Sequence, residues 1–94
     1  MLTIYRYGLR FADAQEVEMP AGAHVLSVGV KQGDGEISLW ASVFTTRPRV
    51  LRTVYIIGTG NPLPAHVADA QFVGTVIDHP VGLVWHVFVE ASNA

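Results

Sequence analysis

Three of the six lysine and arginine residues, Arg47, Arg49 and Arg52, fall within six positions, and no acidic residue stands between Glu36 and Asp69. Arginine forks match the planar oxygens of phosphate or carboxylate. The run is therefore a candidate anion site, set against the simpler role of charge that keeps an edge strand soluble. Gly58-Thr59-Gly60-Asn61 is a second candidate. Successive backbone N–H groups in a glycine turn form a nest for an anion, and Thr59 and Asn61 add side-chain hydrogen bonds. The segment lacks the Gly-Lys-Ser/Thr ending of a Walker loop and the third glycine of a dinucleotide fingerprint, so an ordinary turn competes with the nest. Trp40 and Tyr55 offer planar surfaces on which a base stacks. The candidate ligand-binding set is thus Arg47, Arg49, Arg52, Gly58, Thr59, Gly60, Asn61, Trp40 and Tyr55.

Other chemistry is thinly represented. His24, His66, His79 and His86 show no ligand spacing such as His-x-x-x-His, and cysteine is absent. This leaves no metal site in view and removes thiolate catalysis and disulfides. Ser27, Ser38 and Ser42 have no evident base, and the paired carboxylates Glu16 and Glu18 read as solvated. A non-enzymatic protein without a cofactor is the expectation.

The elements that must carry these residues are short strands. Glycine and proline punctuate segments rich in Val, Ile, Thr and aromatics. The pattern predicts strands over 2–7, 15–19, 24–32, 36–44, 49–57, 71–77 and 81–90. A Gly33-Asp34-Gly35 hairpin follows the third, and at most one helical turn lies within 65–70. Seven such strands make a small all-β sandwich or barrel of one domain, 1–94. Alternation gives strands three and four one apolar face each, with Leu26, Val28 and Val30 together on strand three. Trp40 then lies among serines on the wetter face of strand four, and Trp85 packs in the core with Leu83 and Val87.

Strands five and seven are apolar on both faces. In the seventh, Leu83, Trp85, Val87 and Val89 oppose Val84, His86 and Phe88. Half of the 94 residues are hydrophobic and only 15% are charged, below the roughly 25% of typical soluble domains. Both observations predict a homo-oligomer whose interface includes Leu51, Ile57, Val84, His86 and Phe88. The net charge of −2 argues against duplex nucleic acid as a partner. No apolar run reaches a membrane-span length, and the opening residues do not form a signal peptide. A soluble cytoplasmic protein is expected.

The order of several motifs resembles a family of short, uncharacterised proteins from tailed-bacteriophage genomes. These are Ile4-Tyr5…Tyr7, Met19-Pro20…Gly22-Ala23…Leu26-Ser27-Val28, Leu39-Trp40-Ala41, Gly58-Thr59-Gly60…Pro62, Phe72-Val73-Gly74-Thr75 and Leu83 to Phe88. The likeness spans nearly the whole chain. It departs at Asn61, where the family usually has histidine, and near 44–46, where the family is acidic and this chain is basic. The resemblance implies an accessory factor acting in the host cytoplasm during infection, and no assigned catalytic residues. Combined with the arginine run, it leads to one expected function: binding a small anionic ligand, as a sponge for a nucleotide immune signal. The alternative is a structural or protein-interaction module, either a virion accessory piece or an inhibitor of a host protein, with no small ligand.

Overall fold

A computed structural model describes residues 1–30, 36–78 and 82–91. Seven strands run in the order β1 (Leu2–Leu9), β2 (Ala14–Pro20), β3 (His24–Val30), β4 (Ile37–Phe44), β5 (Arg49–Gly58), β6 (Gln71–Asp78) and β7 (Leu83–Val89), with a single turn of helix, α1 (Ala65–Ala68), between β5 and β6. All the ladders are antiparallel. They build a three-stranded sheet, β1-β4-β3, and a four-stranded sheet, β2-β5-β7-β6. The expected 33–35 hairpin and the ends of two predicted strands lie outside the described residues.

The two sheets face each other and bury what alternation places between them. β4 contributes Ile37, Leu39, Ala41 and Val43, and the facing sheet supplies Met19, Val54, Ile56, Val87 and Val89. Each gives one side chain in two to the core because the strand period is two. The slab measures 40 × 33 × 16 Å between Cα atoms, so each sheet keeps a broad outer face. Along one side the edge strands β3 and β6 approach closely. There Gly74 stands beside a register shift in β6, and a Cβ added to it would sit 3.1 Å from Val28.

One expected face needs correction. The register of β3 slips between Val25 and Ser27. A bulge gives one strand an extra residue and re-aims what precedes it. Val25 is consequently buried while Leu26 is exposed, so Leu26 does not join Val28 and Val30 against the core. Trp85 does pack on the core from its edge, but Leu83 at the strand's start is exposed.

On the other side, β1 and β2 carry no ladder between them. Tyr7 fills part of this seam, and Tyr5 meets it edge-on with ring centroids 6.5 Å apart. The Tyr7 hydroxyl is buried with no hydrogen-bond partner among the described residues. Burial raises its pKa above the ordinary tyrosine value, Tyr5 adds to the rise, and the Arg49 charge partly opposes it. An acid whose folded pKa is raised favours folding fully below its unfolded value, and that contribution is lost as pH rises through the folded value. Tyr7 is therefore expected to ionise above the ordinary tyrosine range in an ultraviolet titration. Stability should fall as pH climbs past about 10, and Tyr7→Phe should lose the late titration phase and flatten that fall.

Candidate interaction face and adjoining cleft

The outer face of the four-stranded sheet is built by the second set of alternate positions. In β5 the register places Leu51, Thr53, Tyr55 and Ile57 outward, and in β7 it places Val84, His86 and Phe88 outward. Pairing aligns them into rows across the sheet. Phe72, Phe88, Tyr55 and Ala14 stand opposite one another in succession, as do Thr75, His86 and Ile57, and then Ile77 and Val84. The Phe72 and Phe88 rings lie 5.3 Å apart, and His66 from α1 meets Tyr55 edge-on at 5.6 Å. Leu51 is 60% exposed, Phe72 53% and Ile77 49%. Five residues expected at a subunit interface, Leu51, Ile57, Val84, His86 and Phe88, thus share one face.

At the centre of that face His86 is held from both sides. Its Nε2 is 2.8 Å from Thr59 Oγ1 and its Nδ1 is 2.9 Å from Thr75 Oγ1. A neutral imidazole donates through one nitrogen and accepts through the other, and a hydroxyl can serve either role. The two contacts hold the ring in place from either side. Nothing in the residue order marks this clamp, because its members come from a loop and from two different strands.

The nine residues expected to form an anion site do not converge. Arg52 shares its parity with Val54 and Ile56, and so points inward at 5% exposure. Its Nη1 donates to the carbonyl of Ala23 at 2.9 Å, while Nε and Nη2 both donate to that of Glu90 at 3.1 Å. Burial lowers its pKa from the ordinary arginine value. Its donors are spent inside the fold and do not face a ligand. Arg47 lies in the turn before β5, with its guanidinium 4.3 Å from the ring centre of Phe44 on the outside of the other sheet. Arg49 opens β5 on the four-stranded side and forms an exposed pair with Glu18 at 3.3 Å. Trp40 lies on the outer face of the three-stranded sheet against Gly29, across the slab from Tyr55.

The glycine loop is a turn. The N–H of Asn61 donates to Gly58 O at 3.0 Å, and Gly60 has a φ of +89°, the conformation a type II turn needs at its third position. The N–H of Thr59 donates to Val84 O at 3.1 Å. Two of the donors expected in an anion nest are therefore used within the fold. Gly58 is required for a different reason: an added Cβ would meet the Trp85 ring at 3.2 Å and the Asn61 amide nitrogen at 2.9 Å.

Beside this loop is a cleft of about 250 Å³ lined by Phe11, Ala12, Asp13, Ile56, Asn61 and Trp85. Phe11 packs on Trp85 with centroids 5.5 Å apart and planes at 57°. The connection that carries Phe11 and Asp13 is held by Gln15, whose buried amide donates to Arg10 O at 2.7 Å and accepts from Arg10 N at 3.0 Å. The Ile56 N–H donates to Asp13 O at 3.1 Å. The Trp85 indole N–H is buried with no hydrogen-bond partner among the described residues, a deficit worth roughly 1–3 kcal/mol. No group of three or more potential metal ligands occurs among the described residues, and no described helix is long and apolar enough to cross a membrane.

Over its whole length, residues 1–94, the chain matches a family described as a domain of unknown function, DUF7352, and it belongs to that family. No curated protein and no solved structure matches it at a significant level.

Replacing Arg52 tests its place in the interior. Arg52→Ala would leave the carbonyls of Ala23 and Glu90 without these donors and is expected to cost roughly 3 kcal/mol in urea unfolding. Arg47→Ala should cost under about 1 kcal/mol, as exposed ring–cation contacts do.

Proposed function

We propose that this protein is a non-catalytic interaction module that associates with itself through the outer face of its four-stranded sheet. The observation that carries this reading is the continuous row Phe72, Phe88 and Tyr55 beside Leu51, Ile57, Val84 and Ile77, all on one side of the slab. Large exposed apolar patches mark contact surfaces in soluble proteins. A broad face of about 40 × 33 Å has room for the ~800 Å² per partner that a stable interface needs. A two-fold axis through the face would set aromatic rows against one another and make the contact self-complementary. The likeness to bacteriophage proteins supports a setting in the cytoplasm of an infected host, where such a module would serve as an accessory factor.

Sedimentation velocity tests the reading. The wild-type protein should run as a defined oligomer, and Phe88→Glu and Leu51→Glu should each give a folded monomer. A wild-type monomer would sink self-association and leave the face to a foreign partner.

A second reading, sequestration of a small anionic ligand such as a nucleotide signal, is favoured by one observation. The Arg47 guanidinium is exposed on the Phe44 ring with no carboxylate partner among the described residues, and Arg49 is two residues on. Protein purified from signal-producing cells should then carry a small nonprotein mass in native mass spectrometry. Arg47→Glu and Arg49→Glu should lose that mass while keeping the oligomer's size. An oligomer with no adduct from such cells counts against this reading.

A further inference from the structure

The cleft beside the glycine loop has a chemistry that neither the apolar face nor the arginine run shares. We propose that it binds one planar, amino-bearing heterocycle of about the size of a single nucleobase, with no phosphate inside the cleft. The inference is independent of self-association.

Size sets the first limit. Drug-sized ligands occupy pockets of roughly 300–1,000 Å³, and this one holds about 250 Å³, enough for a single ring system. Its apolar walls are Ile56, Phe11 and Trp85, and aromatic faces stack on flat ligands with little dependence on sequence or substituent. The polar residues set the second limit. Among the described residues, neither the Asp13 carboxylate nor the Asn61 side-chain amide takes part in a side-chain hydrogen bond or ion pair. A carboxylate only accepts, whereas an amide both donates and accepts. Their complement carries a donor for Asp13, such as a ring amino group, and an adjacent acceptor and donor for Asn61.

Charge sets the third limit. Among the described residues, Asp13 is the only charged one that lines the cleft, so a phosphate drawn inside would meet a carboxylate and no cation among them. The support is already in place. Gln15 fixes the segment that bears Asp13, the turn bonded to Gly58 O fixes Asn61, and Trp85 is pressed onto Gly58. A site whose polar groups are held before binding loses less on ordering.

Nitrogen-15 NMR reads this directly through the Trp85 indole N–H, assigned with the Trp40→Phe variant, whose only indole signal is that of Trp85. Titration with adenosine or cytidine, whose bases carry an exocyclic amino group, should move the Trp85 indole signal in a saturable way. Uridine, which lacks that group, should bind at least tenfold more weakly. Asp13→Ala and Asn61→Ala each alter an exposed residue, and each should weaken binding tenfold or more while backbone spectra stay folded. A stationary Trp85 signal with both amino-bearing probes overturns the proposal. So does equal binding of uridine, or undiminished affinity in both variants. Sedimentation of the Asp13→Ala variant should match the wild type, which separates this site from the sheet face.

Discussion

A two-layer domain can bury only one face of each strand, yet β5 and β7 carry apolar side chains on both. This constraint organises the rest of the molecule. Val54, Ile56, Val87 and Val89 go to the core at no detectable exposure or close to it. The opposite positions, from Leu51 to Ile57 and from Val84 to Phe88, must then stand outward because the strand period permits nothing else. Burying a side chain the size of Phe88 is worth roughly 2 kcal/mol. Such a gain is realised on the outer face only when another surface covers it. With 15% charged residues in the chain, there is little polar side chain available to wet that face instead.

The same parity explains Arg52. It occupies an inward position of β5, where a charge would be untenable alone. Three guanidinium nitrogens meet the carbonyls of Ala23 and Glu90, so the group ties the turn after β2 to the residue that follows β7. No carboxylate takes part in these contacts. The stabilisation comes from charge-assisted bonds to backbone oxygens that would otherwise lack those donors in a poorly solvated corner. A positive charge used in this way holds the sandwich together and offers nothing to a phosphate.

Much of the fold was legible because it follows from local rules. The alternation in Ile37 to Val43, in Val54 to Ile57 and in Leu83 to Val89 predicts both the strands and their faces, and the glycines and prolines mark where the strands end. The place of Arg52 was legible too, since it lies two residues from both Val50 and Val54. Its charge suggested a surface role that its position contradicts. Other features depend on the third dimension. The bulge at Leu26 has no marker in its residue types. Trp40 and Tyr55 fall on opposite sides of the slab because β4 and β5 belong to different sheets. Asp13 and Asn61 lie in two loops far apart in the chain, and only the approach of the β1–β2 connection to the end of β5 makes them walls of one cleft.

The loop after β5 joins the two surfaces. Thr59 turns toward the outer face and holds His86, Asn61 turns toward the cleft, and Gly58 between strand and turn admits the Trp85 ring. Trp85 and His86 are adjacent in β7, so alternation alone sends one to the cleft and its neighbour to the sheet's exterior. A substitution at Gly58, which shifts the whole turn, therefore disturbs both surfaces at once. Asp13 and Phe88 do not have this defect. Each belongs to one surface and reaches the loop through no direct hydrogen bond among the described residues, so each can report on its own surface alone.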